Sequence, residues 1–395
     1  MNILRLSFVW GVLAAAAVSL TSCGGADGGI GGTGSAMGTL RLSITDAPAC
    51  GYDQVNVTIE KLRVHQVSGA LDTDAGWSDI VLTPAKRIDL LRLRNGVLED
   101  LGQIQLPAGK YTQLRLVLAA NGHAAPWANS VIPSGSTETA LDTPSAQQSG
   151  LKLNVDIDVP AGKLADFVLD FDACKSIVKA GNSGKYNLKP VVSVIPRLVD
   201  AGLRVAGFVD PSIAGSAAVS LQLGGVPVKA TAPNSDGSFL LSVVPIGTYD
   251  LVVTATGRVT AVMTGVPVVS GTPTAVNSSA LAISPAAAAS APRAVTGTVT
   301  PATATVRALQ SFTAPGPTVE VAWGAVDAIT GAFGFSLPVN APVLTAYAPN
   351  PAALTFTADA AAAGQYTIEA RSDAVVKAAP INANAVVPPI VFSFP

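Results

Sequence analysis

The chain has 395 residues, enough for two to four domains, yet only 13% of them are charged, against roughly a quarter in an average soluble domain. A formal net charge of -2 and a total of two histidines exclude a basic nucleic-acid surface and any metal motif built on paired histidines. Gly 37, Pro 28 and few aromatics, with Ala, Val and Thr filling the remainder, describe an all-β chain of small sandwiches with many turns.

Met1 to Arg5 is a short leader whose only charged side chain is Arg5, and Leu6 to Leu20 is mostly apolar. Spanning a bilayer takes about 20 apolar residues, so this stretch reads as a secretory signal rather than a transmembrane helix. The next residues, Leu20-Thr21-Ser22-Cys23, resemble a bacterial lipobox. That resemblance implies that 1–22 is a cleaved lipoprotein signal peptide. Cys23 is then acylated and holds the protein to membrane lipid through its acyl chains. The alternative is an ordinary signal cut nearby, with Cys23 a plain thiol. Gly24 in place of Asp after the cysteine is similar to the sorting signal for the outer membrane of a Gram-negative bacterium. The expected address is therefore the cell envelope.

Residues 23–38 form a glycine-rich tether, with an r.m.s. span on the order of 20 Å. A first domain is expected over 39–199. Leu40, Leu42 and Ile44 alternate with polar residues as in a half-buried strand. Val55, Val57 and Ile59 continue into Leu62 and Val64 out of phase, which predicts a β-bulge at Glu60-Lys61. Shorter apolar runs follow to Leu106, and Leu114, Leu116 and Leu118 form a further strand. Ala119 to Gly150 shows no apolar period and is expected to be a long loop. It carries His123, Trp127 and Asn129, which would suit a glycan if the indole stacked on a sugar face. Leu151–Val159 alternates cleanly, Phe167, Leu169 and Phe171 return, and Asp172 to Ala180 is expected to be one short helix. With Cys23 assigned to lipid, Cys50 and Cys174 are left to pair as a disulfide in an oxidising compartment.

Gly38-Thr-Leu-Arg-Leu-Ser-Ile-Thr-Asp46-Ala-Pro48, Val57-Thr-Ile-Glu-Lys-Leu-Arg-Val64, Leu106-Pro-Ala-Gly-Lys-Tyr111 and Leu188-Lys-Pro-Val191 together resemble the bacterial envelope module known as domain of unknown function 4382. The resemblance implies a β-sandwich in a lipoprotein and no particular activity.

Composition changes near Asp200. Residues 1–200 hold 17 Lys+Arg and 18 Asp+Glu, while 201–395 hold 7 and 8. Gly207-Phe-Val209-Asp-Pro211 is echoed by Gly297-Thr-Val299-Thr-Pro301, and Asp236-Gly-Ser-Phe239 by Thr330-Gly-Ala-Phe333. Gly247-Thr-Tyr249 matches Gly364-Gln-Tyr366 provided that an insertion occupies the region of Pro338–Ala363. Such self-similarity predicts two related domains, over 203–283 and 293–395, joined by a Pro/Ala linker at Ser284–Pro292. The pattern resembles carboxypeptidase-regulatory-like, transthyretin-like sandwiches, in which Gly237 opens a hairpin and Phe239 and Tyr249 fill the core. The expected fold is thus a tandem of antiparallel, Ig-like or transthyretin-like β-sandwiches.

Chemistry is sparse. Gly181-Asn-Ser-Gly-Lys185 lacks the first glycine and the Ser/Thr of a phosphate loop, and no Gly-x-Ser-x-Gly elbow occurs. His65, within a strand, is expected to be structural. If Leu151–Val159 and Lys163–Asp172 form a hairpin, Asp156, Asp158, Asp166 and Asp170 share its outer face. Calcium could then relieve their repulsion, although a solvated acidic face is the simpler expectation. No other cofactor is expected. The sequence points to a non-enzymatic binding or scaffold lipoprotein contacting an envelope protein. A carbohydrate-binding lipoprotein, with Trp323 or Tyr347 as platform, and an accessory subunit of an envelope enzyme are the alternatives.

Overall fold

A computed structural model describes residues 36–46, 51–143, 149–197 and 202–395. The first domain contains β1 Met37–Asp46, β2 Tyr52–His65, β3 Ser78–Asp89, β4 Glu99–Pro107, β5 Gly109–Leu118, β6 Ser130–Pro133, β7 Thr139–Asp142, β8 Leu151–Val159, β9 Leu164–Phe171, β10 Ile177–Lys179, β11 Tyr186–Leu188 and β12 Val192–Pro196. One sheet runs β12-β9-β1-β4. The other runs β10-β11-β7-β6-β2-β5-β8, with β3 also on β2. Between them lies one core that includes Leu40, Leu42 and Ile44 of β1 and Val55, Val57 and Ile59 of β2. The register of β2 slips between Ile59 and Lys61 against both β3 and β5. That bulge transfers the apolar phase to Leu62 and Val64, both buried, as the sequence requires.

Three expectations are corrected. First, β8 and β9 are not a hairpin: β8 pairs with β5, whereas β9 lies parallel to β1 and antiparallel to β12. Phe167, Val168, Leu169 and Phe171 of β9 are all buried, so both of its faces need cover, which suits an interior strand and not a half-solvated arm. Second, 119–150 is not an unstructured loop, because β6 pairs with β2 and β7 with β6 and β11. Four-residue strands are too short to show a period, and their partners are distant in sequence. Third, the helix expected from Asp172 is one turn, Ala173–Ser176, capped by Asp172 Oδ1 accepting from Lys175 N at 3.0 Å. The β-branched Ile177 and Val178 then enter a strand, as their restricted side chains favour.

The second domain contains β13 Arg204–Phe208, β14 Ala217–Leu223, β15 Val226–Thr231, β16 Ser238–Ser242, β17 Gly247–Ala255, β18 Ala261–Val268 and β19 Thr274–Ala275. The third contains β20 Arg293–Thr300, β21 Thr305–Ser311, β22 Thr318–Gly324, β23 Ala332–Leu337, β24 Val343–Ala346, β25 Thr357–Ala358, β26 Gln365–Ser372, β27 Val375–Asn382 and β28 Ile390–Ser393. Their sheets correspond strand for strand: β16-β13-β19 with β23-β20-β28, and β15-β14-β17-β18 with β22-β21-β26-β27. The repeated residues explain why. A Cβ at Gly207 would lie 2.6 Å from the Phe239 ring, and one at Gly297 2.4 Å from the Phe333 ring. Each glycine therefore makes room for the aromatic side chain of the facing strand.

Each domain also closes a strand with a buried tyrosine bonded to a proline carbonyl. Tyr249 Oη donates to Pro245 O at 2.8 Å, Tyr366 Oη to Pro338 O at 2.6 Å, and Tyr111 Oη to Pro107 O at 3.0 Å. In the third domain the insertion separates this proline from Gly364. The inserted β24 leaves its own sandwich and pairs in parallel with β18, and β25 pairs with β24. The second domain's sheet thereby gains two strands from its neighbour. The expected linker is also held in place: Ala288 N donates to Gly257 O at 2.9 Å and Val259 N to Ala286 O at 3.1 Å.

Candidate functional site

The three sandwiches meet around Lys175, which the capped turn projects from the end of β9. Lys175 Nζ lies 2.9 Å from Glu320 Oε1 on β22, 3.8 Å from Asp172 Oδ2, and 4.7 Å from the centre of the Trp323 ring. Glu320 is buried. Its other oxygen is 3.5 Å from Arg307 Nη1, whose Nη2 pairs with Glu369 at 2.7 Å. The second domain enters through Gln222, which accepts from Glu320 N at 2.7 Å and donates to Glu320 O at 2.8 Å. Arg307 Nη1 also donates to Gly225 O at 2.8 Å. Beside this network is an open cleft of about 430 Å³ lined by Tyr52, Asp172, Lys175, Gln222, Glu320 and Trp323, among others. Burial pushes the Asp172 carboxyl above its usual range, against the pull of Lys175. Burial, then Tyr186, pushes the Tyr52 hydroxyl up to about 12.

Two further attachments flank the cleft. Lys229 of β15 meets Asp170 of β9 at 2.6 Å, with side chains only 4% and 10% exposed. Asp327 Oδ2 of the third domain accepts from Gly181 N at 2.6 Å, and Ala328 N donates to Lys179 O at 3.0 Å. Chemically, the network consists of cations and carboxylates matched to one another across domain boundaries. Such an arrangement fixes the orientation of the domains.

The four aspartates of the expected calcium face are dispersed over two sheets. Asp156 pairs with Lys110 at 2.9 Å, and Asp158 is exposed opposite Lys110. Asp166 pairs with Arg41 and lies 3.7 Å from Arg197, while Asp170 belongs to the Lys229 pair. Among the described residues no group of three or more His, Cys, Asp or Glu is placed to hold a metal ion. The expected ligand trio is also separated by role. Asn129 is fully buried, accepting from Thr58 N at 3.0 Å and donating to Ala119 O at 2.7 Å, so it pins the segment and cannot meet a sugar. Trp127 is half-buried and His123 exposed.

Trp323 is not an open platform, because Lys175 covers its face, and Tyr347 packs against the second core. His65 is structural: its Nδ1 accepts from Val67 N at 2.9 Å and its Nε2 lies 3.0 Å from Ala75 O. Cys23 and Cys50 lie outside the described residues; Cys174 sits in the capped turn. The sequence reading missed Lys175, Lys229 and Glu320. Their one available signal was scarcity: Lys229 and Glu320 are among the few charges of the C-terminal half.

Residues 37–190 match the family described as Domain of unknown function (DUF4382). The match covers most of the first sandwich. No curated protein matches the chain. Among solved structures, the chain is similar to a type II cohesin–X-dockerin complex from Acetivibrio cellulolyticus, at 24% identity and TM-score 0.19. That likeness covers 22% of this chain and 58% of the other. It is also similar to the Bacillus anthracis TIE protein, at 12% identity and TM-score 0.16, covering 91% of this chain and 50% of the other. In both cases the chain spans less than two thirds of the other protein's length.

Proposed function

We propose that the protein is a lipid-anchored, extracytoplasmic scaffold lipoprotein of the cell envelope, in the outer membrane, with no catalytic activity. The observation that carries the scaffold reading is the junction at Lys175. There ionisable groups of the first and third domains pair with one another, and Gln222 and the Gly225 carbonyl of the second domain bond to them. A shared strand pair joins the second domain to the third. The anchor reading is supported by Leu20-Thr21-Ser22-Cys23 directly after the apolar leader. The two C-terminal sandwiches are proposed to be of the carboxypeptidase-regulatory-like kind, on the strength of their matching strand order and shared Gly–Phe and Tyr–Pro contacts.

The Cys50–Cys174 disulfide is part of the same proposal, because it suits an oxidising compartment. Asp46 Oδ1 accepts from Ala173 N at 2.9 Å, which brings the chain four residues before Cys50 against the residue preceding Cys174. For a loop of this length the chain-entropy model gives about 4–5 kcal/mol.

Membrane fractionation tests the anchor. Wild-type protein is expected in the outer-membrane fraction with the mass of a triacylated form, and Cys23→Ser as soluble or unprocessed protein. Identical fractionation and mass for the two would refute the anchor. A glycan array probed with residues 36–395 tests the scaffold reading: saturable binding abolished by Trp127→Ala would replace it with the carbohydrate-binding one.

A further inference from the structure

Because β1 and β9 are parallel neighbours, both begin at one end of the first sandwich and finish at the other. The finishing end carries the second and third domains, through Asp170–Lys229 and Lys175–Glu320. The starting end is a separate rim. There the turn after β4 bonds to the start of the chain, Ala108 N donating to Ala36 O at 2.7 Å. The turn after β8 does the same, Gly162 N donating to Met37 O at 2.8 Å and Thr39 N to Lys163 O at 2.9 Å. Gly38 lies so close beneath Pro160 that a Cβ would stand 2.4 Å from its carbonyl oxygen.

The rim exposes apolar side chains. Met37 is 46% exposed and Leu164 50%. Val67, 58% exposed, follows Gln66, whose carbonyl accepts from Thr112 Oγ1 near the start of β5 at 2.5 Å. Lys110 and Lys163 stand beside these residues and are exposed. Lys110 is matched by Asp156 at 2.9 Å, with Asp158 opposite it, so the rim is amphipathic without being strongly basic. Apolar tips among lysines with long stems suit the boundary between acyl chains and headgroups.

We infer that this rim rests on the lipid surface to which the protein is anchored. The inference deepens the lipid-anchor proposal and rests on it. What selects lipid as the occupant is the path of the chain: the glycine-rich segment from Cys23 arrives at Ala36, on the rim itself. About thirteen residues of such composition span roughly 20 Å, whereas a ten-residue strand such as β1 separates the two ends of the sandwich by about 30 Å. The rim is the face brought to the bilayer, and the second and third domains point away from it.

The test uses full-length, acylated, oxidised protein in phosphatidylethanolamine/phosphatidylglycerol vesicles, with an environment-sensitive fluorophore on a single introduced thiol. Leu164→Cys and Met37→Cys report the rim, and Val386→Cys reports the exposed far side of the third domain. Shallow brominated lipids are expected to quench both rim labels at least twofold and to leave the Val386→Cys label unchanged. If labelled protein floats with the vesicles while the rim labels stay unquenched, the rim inference fails and the anchor stands. If acylated protein does not float, both fail. Two rim positions are used so that a local disturbance at either one is recognised by its altered melting temperature.

Discussion

The second and third domains are built on one plan and attached in different ways. Both keep the glycine beneath a phenylalanine and the tyrosine bonded to a proline carbonyl, and both order their strands alike. The third has taken its insertion between Pro338 and Gly364, within the tyrosine contact itself, and still makes the hydrogen bond. The contact depends on where the proline carbonyl sits in space, not on its distance along the chain. Their attachments to the first domain differ more. The second is held by a deeply buried ion pair, Lys229–Asp170. The third is held by a partly solvated network in which Glu320 has both Lys175 and Arg307.

Breaking the attachments should show the largest contrast. Lys229→Met leaves Asp170 buried and unpaired and should cost about 3–5 kcal/mol in chemical unfolding. The double change Lys229→Met/Asp170→Leu should recover most of that. Lys175→Met should cost only about 1–2 kcal/mol, because Glu320 retains Arg307. Equal losses would mean that the two attachments are energetically alike.

Removing 340–363 and joining Val339 to Gly364 restores the Pro-x-Gly-x-Tyr spacing of the second domain. The third domain should keep its core and its Tyr366–Pro338 bond. Amide exchange in β18 should quicken at least tenfold as it loses β24. Unchanged exchange would show that the inserted strands do not protect that edge.

Tyr249→Phe and Tyr366→Phe each delete one hydrogen bond to a carbonyl and should cost about 1 kcal/mol apiece. A distinctly smaller loss at Tyr366 in thermal unfolding would show that the insertion has weakened the contact.

The smallest effect concerns acid. Burial pushes the Asp327 carboxyl up, but donors from Thr330, Ile329 and Gly181 outweigh it and hold it below its usual value. Such a group stabilises the fold fully above the unfolded value near 3.9, and the contribution is lost as pH falls through the lower folded value. Asp236 of the second domain is held low by Ser238 of its own turn. Acid should therefore loosen the Asp327–Gly181 attachment of the third domain to the first. Melting curves between pH 5 and 2 should show a shallower acid limb for Asp327→Asn.

The fold was legible wherever one face of a strand is wet. Leu151–Val159 alternates and was bounded correctly, and the change of phase at Glu60-Lys61 announced the bulge. It failed where both faces are covered, as in β9, because a continuous apolar run does not say which neighbour will cover it. Sequence adjacency then suggested β8, and with it the calcium face. It failed again at β6 and β7, whose pairing is set by β2, some 75 residues earlier. The junction at Lys175 was invisible for a related reason: a lone charge in an apolar domain does not name its partner. By contrast the insertion was placed correctly, because the flanking Phe and Tyr positions are spaced by the repeat itself.

The parallel pairing of β24 on β18 also has a consequence for biosynthesis. Domains generally fold from the N-terminus as the chain emerges. The second sandwich therefore completes its own core with β18 as an open edge, and the residues that cover Ala261–Thr264 are made some eighty positions later. An unpaired strand edge of this largely apolar kind is a template for pairing with another chain. During that interval the edge is open to other copies of the chain, and pairing with β24 ends the exposure.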